Sequence, residues 1–162
     1  YILGRNSFPL AFTKTLISWL SPASRRGTFF IALPGADGAV HGIDQLFGDN
    51  TTGPDGNFAK NGFVALAKYD ENLDGRIDKS DAVFAKLRLW SDTNGDGLSE
   101  TSELHTLTEL GVETLDLNYD PNYAEQDAYG NQIKMKSVAT TSDGEMHLIF
   151  DIWFNLNSNR PQ

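Results

Sequence analysis

The sequence contains no cysteine, few basic side chains and no long apolar run. Without cysteine the chain has no disulfide scaffold, no thiol nucleophile and no thiolate metal site. No stretch approaches about 18 consecutive apolar residues, so we expect no membrane-spanning helix. The 13 Lys and Arg against 22 Asp and Glu give a net charge of −9. This charge argues against a nucleic-acid partner, because binding to phosphates needs a basic surface.

The charges that are present divide the chain. Residues 1–36 hold four basic side chains and no acid, whereas residues 37–162 hold all 22 acids. We therefore predict a basic, partly ordered leader over residues 1–36, an acidic body over residues 37–155 and a flexible tail over residues 156–162. A membrane-binding arm is the less favoured interpretation of the leader. Because the first residue is Tyr1, we expect the chain to be part of a larger parent protein, and we predict a monomer.

The acidic body contains a segment, residues 70–81, that matches the EF-hand calcium loop. Oxygen-bearing side chains occupy loop positions 1, 3 and 5, glycine occupies position 6, and a carboxylate occupies position 12. Calcium needs about six to eight oxygen ligands, and alternate residues of a tight loop point inward. Gly75 allows the turn that brings a backbone carbonyl to the ion. The predicted ligands are Asp70, Asn72, Asp74, the carbonyl of Arg76, Asp78 and Asp81.

The same pattern recurs over residues 92–103. Here position 12 is Glu103, which can bind calcium through both oxygens, whereas Asp81 is one methylene shorter and is expected to hold calcium less well or to accept magnesium. One copy could be an ordinary solvated turn, but two complete copies predict two calcium sites. The predicted ligands of the second loop are Asp92, Asn94, Asp96, the carbonyl of Leu98, Glu100 and Glu103.

A third, degraded copy spans residues 33–44. It keeps Asp37, Gly38 and the terminal Asp44, but its positions 1 and 3 have lost their oxygen-bearing side chains. Two carboxylates and backbone carbonyls would bind calcium only weakly. We therefore do not expect an ion near Asp37 and Asp44.

The spacing of the loops predicts the fold. Only residues 82–91 separate them, which is room for one helix with an apolar face of Val83, Phe84 and Leu87. Helical spacing also precedes the first loop and follows the second, and after Gly111 the apolar period changes to two, with a hairpin turn at residues 142–144. The predicted fold is α+β: an EF-hand-like helix-loop-helix-loop-helix unit followed by a small antiparallel β-sheet. One shared helix cannot open a groove as calcium sensors do, so the calcium is predicted to be structural.

No catalytic or organic-cofactor residues are predicted. The three histidines, His41, His105 and His147, are isolated, and no phosphate loop, dinucleotide fingerprint or Gly-x-Ser-x-Gly motif is present.

Four strings carry a family resemblance: QLFGDNT (45–51), NGFVALAKYDENLDGRID (61–78), FAKLRLWSDTNGDGLSETSELHTLTELGVETLDLNY (84–119) and FDIWF (150–154). They resemble the calcium-binding modules of large RTX proteins that Gram-negative bacteria export by type I secretion. The closest resemblance is to the self-processing module of the Neisseria iron-regulated Frp-type proteins. The resemblance implies a secreted or cell-surface protein that calcium folds and that then cleaves an Asp-Pro bond at its own N-terminal edge.

This chain departs from that pattern, because no Asp precedes Asp37 and its one Asp-Pro, Asp120–Pro121, lies in a loop after the calcium unit. Our leading hypothesis is a non-catalytic, calcium-stabilised module of a secreted RTX-like protein, with calcium ions and the parent chain as its partners. The alternatives are a calcium-dependent self-processing module and a dockerin-like binding module, whose loops stand further apart.

Overall fold

A computed structural model describes residues 13–20 and 26–154, with side chains from residue 27 onward. The predicted tail at residues 156–162 lies outside the described residues. The strands are β1 Thr13–Leu20, β2 Arg26–Ala32, β3 Arg76–Ile77, β4 Arg88–Trp90, β5 Leu104–Thr106, β6 Val112–Asp116, β7 Glu125–Gln126, β8 Gln132–Thr141 and β9 Met146–Trp153. One short helix, α1 (Gly62–Ala67), and two single turns of 3-10 helix, Ile43–Gln45 and Thr101–Glu103, complete the secondary structure of the described residues.

The strands form one antiparallel sheet in the order β3-β6-β8-β9-β1-β2-β4-β5, and β7 pairs with β8. The fold is therefore mostly β, and the predicted α+β fold with an EF-hand-like helix-loop-helix-loop-helix unit is wrong. No helix in the described part of the chain is long and apolar enough to cross a membrane.

The segment between the two loops shows why the helical prediction failed. Val83, Phe84 and Leu87 are buried as the pattern required, but Val83 and Phe84 lie in a turn and Leu87 directly precedes β4. Strand β4 pairs with β2 on one side and with β5 on the other. These long-range backbone hydrogen bonds replace the local bonds of a helix, and apolar spacing over ten residues does not distinguish the two.

The segment after the second loop fails in the same way, since it begins with strand β5 and continues in turns. The helix expected before the first loop is confirmed as α1, which buries Phe63 and Leu66. Helical spacing was therefore correct only where the helix is capped, at Asn61, whose side chain accepts the backbone N–H of Val64 at 2.8 Å.

The predicted C-terminal strands are confirmed as β6, β8 and β9, and Gly144 has the positive φ of +84° that its hairpin turn requires. Strand β9 lies between β8 and β1, which confirms a central position. The buried side chains of β9 are His147, Ile149 and Asp151, whereas Leu148 and Phe150 on the other face are only partly covered.

Strand β2 separates two apolar clusters. Phe29 and Ile31 belong to the larger cluster, with Phe63, Ile77 and Leu115 among its members. The residues that alternate with them, Phe30 and Ala32, belong to a smaller cluster with Val40, Leu46 and Trp90. Because alternate residues of a strand point to opposite faces, the two clusters lie on opposite sides of β2. Phe29, Phe30, Ile31 and Ala32 are all buried, so β2 is covered on both faces.

Strands β1 and β2 both come from the segment that we predicted to be a leader, residues 1–36. Strand β1 pairs with β9 over six residues and with β2 over five. The sheet therefore includes residues on both sides of the predicted boundary at residue 36.

Candidate calcium-binding loops

The first candidate loop, residues 70–81, is held by hydrogen bonds from its backbone to its own side chains. Asp70, which is 9% exposed, accepts the N–H of Asp74 at 3.3 Å and that of Gly75 at 2.9 Å. Asn72 accepts the N–H of Asp74 at 3.2 Å, and Asp74 accepts the N–H of Arg76 at 2.9 Å. Positions 1, 3 and 5 therefore turn their oxygens toward the inside of the loop.

Position 12 closes this loop. Asp81 is 2% exposed, and its two oxygens accept the N–H of Glu71, at position 2, at 2.8 Å and the N–H of Asp78 at 3.0 Å. Asp78, at position 9, accepts the N–H of Ser80 at 2.7 Å. The backbone and hydroxyl of Ser80 lower the pKa of Asp78, so this carboxylate is charged at neutral pH.

The second loop, residues 92–103, has the same set of hydrogen bonds from its backbone to its side chains at positions 1, 3 and 5. Asp92 accepts the N–H of Asp96 at 3.2 Å and that of Gly97 at 3.0 Å. Asn94 accepts the N–H of Asp96 at 3.0 Å, and Asp96 accepts the N–H of Leu98 at 2.8 Å. Each of these bonds joins the same loop positions as its counterpart in the first loop.

The second loop is closed by its longer residue. Glu103, which is 2% exposed, accepts the N–H of Thr93, at position 2, at 2.7 Å and the hydroxyl of Thr93 at 2.8 Å. The indole N–H of Trp90 lies 3.4 Å from its other oxygen. Burial raises the pKa of Glu103, but the hydrogen bonds from Thr93, Trp90 and Asn94 outweigh burial, so the net pKa is lowered. Trp90 was not identified from the sequence, because this contact bridges thirteen residues.

The backbone torsions of the two loops also match. Position 6 is a left-handed glycine in both loops, Gly75 at φ +82° and Gly97 at φ +76°. Position 4 is left-handed as well, with Leu73 at φ +58° and Gly95 at φ +76°. Among the described residues Leu73 is the one non-glycine residue with positive φ. A leucine in this costly conformation shows that the loop frame overrides local preference.

The donor chemistry of both loops fits a hard divalent cation. Their side chains offer carboxylate and amide oxygens, and within the described residues no carboxylate of either loop takes part in an ion pair. The carbonyls of Arg76 and Leu98 belong to the predicted set. Over residues 13–20 and 26–154 no three His, Asp or Glu side chains form a ready metal-binding group, so the amide and carbonyl oxygens would have to complete each ligand set.

The two loops lie at opposite ends of the sheet. Strand β3, which lies inside the first loop, is the last strand at one end, and its Ile77 is fully buried. The second loop connects β4 to β5 at the other end. Its position 8 is Ser99, whose hydroxyl accepts the N–H of Val40 at 2.7 Å and donates to the carbonyl of Val40 at 3.1 Å.

Two other polar groups have structural partners. The carboxylate of Asp151 is fully buried in β9 and accepts the N–H of Gly62 at 3.1 Å, which ties the start of α1 to the sheet. Asp120, the acid of the Asp-Pro pair, is exposed and accepts the N–H of Asn122 at 2.9 Å in a turn. The sequence did not indicate the buried role of Asp151.

The model of the SPM domain family matches residues 13–155. The chain belongs to the SPM domain family. It is also similar to the iron-regulated protein FrpA of Neisseria meningitidis serogroup C, with 45% identity over 109 residues. The matched region is 67% of this chain and 10% of FrpA, so the chain spans about a tenth of that relative's length. The relationship to Frp-type proteins that the sequence suggested is thereby confirmed.

Proposed function

We propose that this chain is a calcium-stabilised structural module of an exported RTX-like protein, with one Ca²⁺ in residues 70–81 and one in residues 92–103. One observation carries the proposal. Both loops share the backbone hydrogen bonds to the side chains of positions 1, 3 and 5, the bond from the N–H of position 2 to position 12 and the left-handed torsions at positions 4 and 6. They share these features although they lie at different ends of the sheet.

Charge gives calcium a role in the stability of the fold. The predicted ligand sets of the two loops include eight carboxylates, four in each: Asp70, Asp74, Asp78, Asp81, Asp92, Asp96, Glu100 and Glu103. Like charges a few ångströms apart repel one another, and a bound divalent cation would offset that repulsion. An ion that binds the folded chain alone stabilises it by about 2.7 kcal/mol per site when its concentration is 100 times Kd.

The positions of the loops explain what that stabilisation would hold together. Strands β3, β4 and β5 are only two or three residues long, and strands so short contribute little by themselves. Calcium in the first loop would fix β3 against β6, and calcium in the second would fix the turn between β4 and β5. Each ion would therefore secure one end of the sheet.

We extend the proposal to localisation on the basis of the similarity to FrpA. A module of an RTX-like protein of a Gram-negative bacterium would fold outside the cell, where calcium is abundant. Calcium ions and the rest of a parent chain are its proposed partners, and the monomeric state stays a prediction.

The test is a pair of amide NMR spectra, one in millimolar calcium and one with chelator. We expect well-dispersed signals with calcium and a loosened chain without it, because the carboxylates then repel one another. Magnesium at the same concentration is the control for ionic strength and is expected to restore the spectrum only in part. Identical, well-dispersed spectra with calcium and with chelator would refute the proposal.

Self-processing is the second candidate, and membership of the SPM family together with similarity to FrpA favours it. Cleavage would require the Asp120 carboxylate to attack its own peptide carbonyl and release the Pro121 nitrogen. That carboxylate instead accepts the N–H of Asn122. The mass of the same calcium-loaded sample decides between the candidates: an intact chain supports the structural role, and a fragment ending at Asp120 supports self-processing.

A further inference from the structure

The degraded copy at residues 33–44, hereafter the third loop, keeps part of the frame of the two candidate loops. Gly38, at position 6, has φ +81°. Asp37, at position 5, accepts the N–H of Ala39 at 3.1 Å, which is the bond that Asp74 makes with Arg76 and Asp96 makes with Leu98. Positions 5 to 7 of the third loop therefore have the geometry of a calcium loop.

The third loop is closed in a different way. In the other loops the carboxylate at position 12 accepts the N–H of position 2, but position 2 of the third loop is Pro34, which has no N–H. Its position 12, Asp44, is exposed, and a Cβ placed on Gly42 would lie 2.6 Å from the Asp44 carboxylate. The carboxylate of Asp44 is therefore directed at Gly42. The carboxylate of Asp37 lies 2.6 Å from the ring nitrogen Nε2 of His41.

The next residue, Gln45, closes the third loop instead. Its side-chain oxygen accepts the N–H of His41 at 2.5 Å and that of Gly42 at 3.3 Å. Its side-chain nitrogen donates to the carbonyl of Ala39 at 3.4 Å. Ala39 is position 7, whose carbonyl is a predicted ion ligand in the other two loops. In the third loop this carbonyl accepts both the N–H of Gly35 at 3.0 Å and the side-chain N–H of Gln45, so protein donors occupy the oxygen that a cation would otherwise bind.

The third loop also contacts the second loop at equivalent positions. Val40 is position 8 of the third loop and is 8% exposed within the smaller apolar cluster. Ser99 is position 8 of the second loop, and its hydroxyl bonds both the N–H and the carbonyl of Val40. The first loop has no such partner among the described loops, since its position 8, Ile77, pairs with Leu115 of β6.

We propose that the third loop is a cation-free brace for the second calcium site, with Gln45 and Ser99 as its positioning residues. The hydrogen bonds of Gln45 hold the third loop in the calcium-loop conformation without an ion. The hydrogen bonds between Val40 and Ser99 then hold position 8 of the second loop against the third loop. The second loop is thereby partly ordered before calcium arrives. This inference rests on the proposed calcium binding and concerns how one of the two sites reaches its affinity.

The test is a calcium titration monitored by NMR through the amide signals of Gly75 and Gly97. Each of these N–H groups donates to the position 1 carboxylate of its own loop, at 2.9 Å and 3.0 Å, so each reports one site. We expect Ser99→Ala and Gln45→Ala to weaken calcium binding at Gly97 roughly three- to tenfold, the effect of losing about one hydrogen bond, and to leave binding at Gly75 unchanged.

Two further variants control this experiment. Ser102→Ala removes an exposed serine of the same loop and is expected to leave both affinities unchanged. Ser99→Thr keeps the hydroxyl and is expected to restore most of the affinity that Ser99→Ala loses. If Ser99→Ala unfolds the chain, which the Gly75 signal would show, the comparison of Gln45→Ala with Ser102→Ala decides the question.

Equal affinities at Gly97 in the unmodified chain, Ser99→Ala and Gln45→Ala would overturn the brace while leaving the two calcium sites intact. A third calcium-dependent shift at Gly38 would also overturn it, because the third loop would then be a cation site. Absence of any calcium effect at both Gly75 and Gly97 in the unmodified chain would instead remove the proposed function, and the brace with it.

Discussion

The two candidate calcium loops have the same interior and different surroundings. The first loop is anchored through its backbone, since Arg76 and Ile77 pair with β6 and the N–H of Leu117 donates to the carbonyl of Gly75 at 3.0 Å. The second loop is anchored through side chains, by Trp90 to Glu103 and by Ser99 to Val40. The loop geometry is therefore encoded within twelve residues and does not depend on the helices of an EF-hand.

The loops also differ in how position 12 reaches the interior. Asp81 is short, and both of its oxygens accept backbone N–H groups. Glu103 is longer, and it accepts hydrogen bonds from three residues: Thr93 and Asn94 inside the loop and the indole of Trp90 before it. We therefore predict two independent sites with unequal affinity.

The largest effect is expected from the charge at position 1. Asp70→Asn and Asp92→Asn keep the shape of the side chain and remove one carboxylate, so each should weaken calcium binding at its own loop about 100-fold. The other loop should stay within about twofold, since the loops lie at opposite ends of the sheet. Isothermal titration calorimetry measures both affinities.

Asp127→Asn is the matched control for that pair. Asp127 accepts the N–H groups of Tyr129 and Asn131 in a similar turn outside both loops, so its replacement should leave both calcium affinities unchanged. If Asp70→Asn and Asp92→Asn each abolished binding at both loops, the independence of the sites would be wrong.

A smaller effect is expected at position 12. Glu103→Asp should weaken calcium at the second loop about tenfold, because the shorter carboxylate loses bidentate contact and the indole of Trp90. The reverse change, Asp81→Glu, should bring no gain, since the buried position is already filled by hydrogen bonds from Glu71 and Asp78. Titrations with calcium and with magnesium measure both variants.

The ratio of calcium affinity to magnesium affinity is a second measurement on the same variants. Glu103→Asp should move the second loop toward magnesium, which prefers fewer protein oxygens. An unchanged ratio of calcium to magnesium affinity in Glu103→Asp would mean that the length of the position 12 carboxylate does not distinguish the loops.

The smallest effect concerns position 4, where the first loop has Leu73 and the second has Gly95. Leu73→Gly should raise the free energy of unfolding by about 0.5–1 kcal/mol, because glycine adopts φ +58° without strain. Gly95→Leu should lower it by a similar amount. Urea unfolding in excess calcium measures both changes.

Leu73→Ala separates torsion from exposure. It removes the side chain of a residue that is 84% exposed but leaves a Cβ in the left-handed region, so it should not stabilise the chain. A gain in Leu73→Ala equal to that in Leu73→Gly would show that the exposed leucine, and not its backbone, carries the cost.

The parts of the fold that were predictable are those determined locally. The Asp-x-Asn-x-Asp-Gly segments specify their own turns through neighbouring side chains, and the alternation in β8 and β9 together with the turn at Gly144 specifies a hairpin. Strand β4 was not predictable, because its partners Phe30 and His105 are reached only in the folded sheet. The pairing of β1 with β9 spans most of the chain and escaped detection for the same reason.

The same distinction applies to the candidate site. The ligand positions of both loops could be predicted because each is a local pattern. Trp90, Ser99 and Gln45 could not be assigned roles, since the contacts of Trp90 and Ser99 bridge separate segments and Gln45 lies one residue beyond the recognisable pattern.

The central claim is that both loops, and not the third, hold calcium. Anomalous scattering from crystals grown in calcium tests it most directly. We predict one peak inside residues 70–81 and one inside residues 92–103, each about 2.3–2.6 Å from its oxygen ligands, and no peak inside residues 33–44. A peak in the third loop, or none in either candidate loop, would contradict the account.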